Sequence, residues 1–452
     1  MQPQTAVPSQ HEQYTNSGVV WSPVVRVAFR FAFVFFLLFE DLFPYRYDSG
    51  VLDPLWRRLV PWVGGHVLHI QIPTTFGGGD TVYGYAETLF FAAFAAIAAA
   101  VWSILDRRRT NYVTLHRWLR VYVALYLGVQ MFEYGLGKIF PSQMLPPSQS
   151  RLLVRLGDMS PQALLWAFMG ASKTYTLFAG LVEVLGGALL FVPRLTTLGA
   201  LLSAGALTNV LILDLSYDVD VKLYSAMLLL MSLFLIGPDA GRLASVLVLN
   251  RRAEPAIRES FFHRKWLNRT FLAVQLAFGG YVLVSSSMPP YLRGQKFAQR
   301  PQSVPFYGIW KIDEFTVNRE RRPPVLTDEI RWQHVVFDVP DGVDCCEPYF
   351  GMAVQSMDGY RRLYWMQVDR VKNVVQLMKL NDEEGRGPDN FTPPPFKATA
   401  QFTFDNPTPE QLTLEGDLDG QHIYAILHRT SINFILLNRG FHWINNRPFW
   451  GR

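Results

Sequence analysis

The feature that most constrains this chain is a change of pattern near Pro301. Long apolar runs precede it, and short alternating segments broken by turn residues follow it. About 20 mostly apolar residues in a helix match the hydrocarbon thickness of a bilayer, whereas alternation with period two marks a half-buried strand. The two parts therefore call for different solvents. Charge divides at the same place: of 79 Asp, Glu, Lys and Arg residues, 36 lie in residues 301–452 and 43 in the first 300. The later part has the charge density of an ordinary soluble domain; the earlier part falls well below it. The formal net charge of +5 separates into +9 before residue 301 and −4 after it. Basic loops between apolar runs fit a membrane protein better than nucleic-acid binding, which gathers Lys and Arg on a polar fold. The two cysteines, Cys345 and Cys346, are adjacent. This excludes a disulfide-stapled scaffold and a cysteine-ligated zinc or iron–sulfur centre.

The expected fold is an α-helical transmembrane bundle of about seven spans followed by an all-β up-and-down barrel. Residues 1–22 read as a polar tail, 23–290 as the bundle and 301–452 as the barrel domain. The spans fall at Pro23–Phe43, Tyr83–Leu105, Leu119–Phe140, Thr174–Val192, Thr197–Leu215, Val221–Ile236 and Trp266–Ser285. Gln162–Ala171 is apolar but too short to cross, and reads as a re-entrant or interfacial helix.

Lys and Arg set orientation. Arg107, Arg108, Arg109, Arg117 and Arg120 follow the second span, and Arg242, Arg251, Arg252, Arg258, Arg264 and Lys265 follow the sixth. Both connections are expected in the cytoplasm, which puts the amino terminus inside and the barrel outside the cell membrane. The first span reads as an uncleaved anchor. Arg26 and Arg30 at one end and Glu40 and Asp41 at the other are placed to snorkel to water.

Strands are expected at Gly308–Val317, Arg331–Val339, Tyr349–Met357, Tyr360–Asp369, Val374–Leu380, Ala398–Phe404, Gln411–Gly416, His422–Arg429 and Phe434–Arg439. Turns at Asp341–Gly342, Asp358–Gly359, Gly385-Arg386-Gly387-Pro388 and Asp419–Gly420 separate several of them. Asp-Gly pairs supply the positive φ that tight hairpins need. Eight or nine successive strands favour a barrel that removes its own edges, with a two-sheet sandwich as the alternative.

Gly308-Ile309-Trp310 and the late Arg439, in Asn438-Arg439-Gly440-Phe441-His442-Trp443, give this part a resemblance to the lipocalin-like barrels. The resemblance implies that Arg439 covers the Trp310 indole and closes the barrel floor, a cation–π contact of about 0.5–2 kcal/mol. Such a barrel either holds one small apolar ligand or is filled by its own side chains.

Ionisable residues inside spans are costly and mark functional candidates. The third span carries Glu133 and Lys138, the fourth Glu183, and the fifth Asn209 and Asp214. Glu133, Lys138 and Glu183 form the candidate catalytic set, with Asn209 and Asp214 as ligand-binding candidates; mutual neutralisation of Lys138 by the glutamates is the structural alternative.

Gly135-Leu136-Gly137-Lys138, Glu183 with Gly186-Gly187, and the Pro193-Arg194-Leu195 turn resemble the DoxX-like membrane family over roughly residues 115–236. That resemblance implies a small bundle in membrane redox chemistry, a quinone as cofactor, and membrane lipids and a membrane redox protein as partners. The same Gly-Leu-x-Lys pattern also resembles the membrane part of vitamin K-dependent carboxylase relatives, which implies Lys138 as a base. A third reading makes the bundle an anchor and the barrel a lipid or small-molecule carrier. His66 and His69 in the first outer loop are spaced to share a helical face, yet no acidic cluster follows, and no metal site is expected.

Overall fold

The computed structural model describes residues 20–40, 52–73, 80–255, 261–338, 349–379, 395–440 and 442–444. Cys345–Cys346 and the Asp341 and Gly385 turns lie outside them. Helices α1 (Pro23–Phe39), α2 (Asp53–Val63), α3 (Val82–Leu105), α4 (Val113–Ile139), α5 (Gln149–Leu152), α6 (Pro161–Ala171), α7 (Lys173–Leu190), α8 (Thr196–Ser216), α9 (Lys222–Ile236), α10 (Ala240–Leu247) and α11 (Lys265–Ala298) precede the sheet. The short α12 (Arg300–Ser303) leads into it, and α13 (Ile435–Asn438) follows it.

Among the described residues, five helical stretches are long and apolar enough to cross a membrane: Val82–Leu105, Lys173–Leu190, Thr196–Ser216, Lys222–Leu247 and Lys265–Ala298. The other two expected spans are helical but marginal. Helix α1 has 17 residues, about 26 Å at 1.5 Å per residue, and α4 carries Arg117, Arg120, Glu133 and Lys138. Helix α6, begun by Ser160 as N-cap and Pro161, has only 11 residues and is too short to span.

The chain divides into two compact units. The first comprises Met1–Gln130, Gly186–Ala204 and Leu223–Gly279. In it α1 packs on α3, with the Phe33 and Trp102 rings edge to face at 5.8 Å. Arg30 does not snorkel. Its buried guanidinium donates to Tyr112 Oη at 2.7 and 3.0 Å, Ser103 Oγ at 2.6 Å and the Asp106 carbonyl at 3.0 Å. Glu40, at the other end of α1, is buried rather than reaching water, and neither carboxylate oxygen has a hydrogen-bond partner among the described residues. His66 stacks on Trp62 at 5.0 Å and His69 takes the left-handed conformation at φ 57°. Both belong to a local turn after α2, and no metal-binding cluster occurs among the described residues.

The second unit comprises Met131–Leu185, Gly205–Lys222 and Gly280–Arg452 and contains the barrel. The strands are β1 (Gly308–Val317), β2 (Glu320–Arg321), β3 (Trp332–Asp338), β4 (Phe350–Ser356), β5 (Arg361–Asp369), β6 (Val374–Lys379), β7 (Ala400–Thr408), β8 (Gln411–Leu418) and β9 (Gln421–Thr430). All pairs are antiparallel, and β1 pairs with both β3 and β9. Eight strands therefore close into a barrel, with β2 an appendage of β1. The two-sheet alternative is thereby excluded.

Trp310 and Ile312 point inward, a bulge between Ile312 and Glu314 inserts one residue, and Phe315 and Val317 point inward again. The lumen is filled: Trp310, Phe315, Trp332, Phe337, Tyr364 and Phe402 are all fully buried in one cluster. Hairpins β1–β2 and β8–β9 turn on two positive-φ residues each, Asn318–Arg319 and Asp419–Gly420.

Two expectations are corrected here. The segment Phe434–Arg439 is not a strand; it contains the helical turn α13. Arg439 ends that turn on the exposed surface, whereas Arg429 of β9, opposite Trp310, lies against Gly308 and donates to the Tyr307 carbonyl at 2.7 Å. Trp310 itself donates its indole N–H to the Phe306 carbonyl at 2.7 Å.

Candidate functional site

The buried charge of the second unit is built on two glycines. On α4, Gly135 precedes Lys138 by three residues; on α7, Gly180 precedes Glu183 by three. A Cβ on Gly135 would stand 2.8 Å from the Gly180 carbonyl oxygen, and one on Gly180 would stand 2.5 Å from that of Gly135. Only side chains of hydrogen size let these backbones approach so closely, the small-residue device of packed membrane helices. The residue one turn along each helix is then carried to the seam.

There Lys138 Nζ meets Glu183 Oε2 at 2.8 Å, with both side chains 7% exposed. The Tyr134 ring lies 5.7 Å from the same ammonium. Chemically this is a compact zwitterion in low dielectric. Separating it is costly, and a proton passing from Lys138 to Glu183 would neutralise both groups.

The remaining candidates sit around this pair differently. Glu133 lies on the same helix as Lys138, five residues earlier and therefore about 140° around the axis, and is half-buried. Asp214 is buried on α8, while Asn209, five residues before it, is exposed. The structure thus joins Lys138 to Glu183 and turns Asn209 outward. Gly186, three residues after Glu183, serves packing in the first unit, where a Cβ would come within 2.8 Å of Ser203 Oγ. Pro193-Arg194-Leu195 forms the expected turn between α7 and α8.

Sequence reasoning missed the strap between α4 and α6, residues 148–158. The Gln149 amide donates to Asp338 Oδ2 at 3.3 Å, Arg361 to Ser150 Oγ at 3.3 Å, Gln355 to the Leu153 carbonyl at 3.2 Å and Arg155 to the Asp358 carbonyl at 2.8 Å. Arg300, buried beside Asp338 at 3.7 Å, adds an ion pair at the same place. Leu153 and Phe434 cover Ile309, Val336 and Ala353 on the outer wall of the barrel. The one available signal was the outward apolar residues on strands whose inward face was already apolar.

Two cavities complete the chemistry. In the first unit an apolar crevice of about 510 Å³ lies among Phe31, Phe35, Phe36, Leu89, Met227 and Phe234. In the second a cleft of about 430 Å³ lies between the strap, α6 and the segment after β9.

No family model matches the chain, and no solved structure matches it. Over 124 residues it is 29% identical to the uncharacterized protein YwoB of Bacillus subtilis (strain 168), an alignment covering 25% of this chain and 73% of that protein. Helices able to cross a membrane, followed by a closed eight-stranded barrel, make this a membrane protein with a barrel domain.

Proposed function

We propose that the chain is a DoxX-like integral membrane protein, with a bundle over 23–290 that supports a quinone-linked redox assembly and a barrel from residue 301 that binds a partner through its surface. The amino terminus is in the cytoplasm and the barrel outside. The observation that carries this reading is the buried Lys138–Glu183 pair, because an ion pair held on membrane helices is costly and is retained where it switches or specifies something. The wholly apolar crevice lined by Phe31, Phe35 and Phe234 supports an isoprenoid or other hydrocarbon ligand. The filled lumen argues against the carrier reading, since Trp310, Trp332 and Phe402 occupy the space a ligand would need.

The membrane-base reading is weakened for a geometric reason. A general base must present its amine to a substrate, and Lys138 Nζ is buried in the helix seam against Glu183 Oε2 at 2.8 Å. The test is titration of the purified full chain with a short-chain ubiquinone and a short-chain menaquinone, followed by tryptophan fluorescence, together with mass spectrometry of copurified quinones. Saturable binding that weakens at least about tenfold, about 1.4 kcal/mol, in Lys138→Met and Glu183→Gln supports the reading. Absence of binding by both quinones, with none copurified, overturns it.

A further inference from the structure

We propose that the cleft beside the barrel is a seat for one anionic phospholipid of the adjoining leaflet, with an acyl chain in the cleft and the headgroup against Arg151. This inference rests on the helices crossing a membrane and is independent of the quinone reading.

Position comes first. The cleft is lined by Leu152, Leu156 and Met159 of the strap region, by Ala167 of α6, and by Phe434 and Leu436 after β9. Helix α6 ends at Ala171, two residues before the membrane-spanning helix that starts at Lys173. A cavity whose wall leads directly into a membrane span lies at the level of the lipid surface.

Its rim is apolar in a way water would not favour. Leu156 is 70% exposed and Leu436 60%, and both line the cleft. Aliphatic groups left this exposed at an apolar cleft suit contact with lipid better than contact with water.

Size and charge then select the occupant. A volume of about 430 Å³ holds roughly 14 groups of the ~30 Å³ that a water occupies, which suits a hydrocarbon chain segment. The charged residue in the lining is Arg151, whose Nη1 donates to the Ala163 carbonyl at 3.3 Å, and no acidic residue lines the cleft among the described residues. An arginine in the lining of an apolar slot is complementary to a phosphate-bearing headgroup with its chain.

The experiment places p-benzoylphenylalanine at Leu436, or at Val371 as a control, in the full chain. Val371 is 95% exposed on the turn between β5 and β6. Each protein is assembled into nanodiscs of phosphatidylglycerol or of phosphatidylcholine, irradiated and analysed by intact mass.

The expected result is a one-phospholipid adduct at Leu436, severalfold above Val371, and stronger in phosphatidylglycerol. Arg151→Ala should lower phosphatidylglycerol labelling about fivefold, the value of one arginine near an anionic surface, while Arg151→Lys, which keeps the charge, retains it. Labelling at Leu436 no greater than at Val371 overturns the proposal, as does crosslinking to a peptide of this chain. Equal labelling by the two lipids overturns the anionic assignment. Because the crosslinker reads the cleft with Arg151 intact, the test stands even if Arg151→Ala fails to fold.

Discussion

Removing one member of the Lys138–Glu183 pair should cost far more than removing both. At 2.8 Å and an effective dielectric constant of about 20, the gross attraction between unit charges is about 6 kcal/mol. Much of this is offset by the desolvation of two side chains that are each 7% exposed. Lys138→Met leaves a carboxylate in the seam between α4 and α7, and Glu183→Leu leaves an ammonium there. Breaking a buried pair from one side costs about 3–5 kcal/mol, whereas replacing both partners by apolar groups of similar volume is near neutral. The measurement is a double-mutant cycle of Lys138→Met and Glu183→Leu, read by equilibrium unfolding of the full chain in detergent micelles. Both single variants should lose about 3–5 kcal/mol, and the double variant should be more stable than either. Additive losses, or single losses below about 1 kcal/mol, would refute the reasoning, because they would mean the two charges are separately solvated. Quinone titration on the double variant then separates roles: a stable bundle that no longer binds quinone assigns the pair a function beyond holding helices together.

Other perturbations follow from the same geometry. Gly180→Leu drives a side chain into the Gly135 carbonyl and should cost about 1–3 kcal/mol or more while separating Lys138 from Glu183, seen as lost stability in the same unfolding assay. Arg30→Met removes the donor that Tyr112, Ser103 and the Asp106 carbonyl share; each acceptor left unsatisfied costs about 1–3 kcal/mol, and proteolysis near α1 should increase. Trp310→Ala empties a fully buried indole site in the barrel and should cost about 3–5 kcal/mol, detected as loss of barrel near-UV dichroism before the helical signal. On the exposed β8–β9 surface, the His422 ring donates from Nδ1 to Asp417 at 3.0 Å and from Nε2 to Glu415 at 3.3 Å. These hydrogen bonds, then the carboxylate charges, hold its pKa above the ordinary 6.5. The stabilisation is therefore fully present below the unfolded imidazole's pKa and disappears as pH rises through the folded one. Histidine-selective NMR should show His422 titrating above the ordinary imidazole value, and Asp417→Asn with Glu415→Gln should bring it back to its ordinary range.

Much of the barrel was legible because alternation fixes which face a side chain takes. Strand β1 was read at its observed limits, and β3 to β6 to within about a residue at each end. Phe434-Ile435-Leu436-Leu437 was misread for a physical reason: four consecutive apolar residues carry neither period two nor period 3.6, so length and context decide. The pair Glu320–Arg321 was missed because β2 buries nothing. The bulge after Ile312 was also invisible, since one extra residue looks like a lapse in the pattern until the partner strand is known. At the site, the reason for the glycines three residues before Lys138 and Glu183 is visible only in the fold. Their contact joins residues 45 positions apart, a distance over which helical period gives no register. Arg30 and Glu40 were placed in water by their position near helix ends, yet packing took both inside.

The barrel's filled lumen moves the question of its function to its outer wall. A wall in contact with solvent all round would alternate apolar and polar on every strand. Here Ile309, Val336 and Ala353 on β1, β3 and β4 are buried on the outer side as well, beneath Leu153 and Phe434. The strands with two buried faces are the ones the strap grips through Asp338, Gln355 and Arg361. The opposite strands show the other pattern: outward residues of β7 and β8, such as Gln401 and Glu415, are exposed. Thr403, between them in space, donates its hydroxyl to the Glu415 carbonyl. One side of the barrel is thus committed to the strap and the other presents a polar, acidic face on which His422 lies between two carboxylates. Because that second face is separate from the cleft beside the strap, charge reversal at Glu415 and Asp417 should leave phospholipid labelling at Leu436 unchanged.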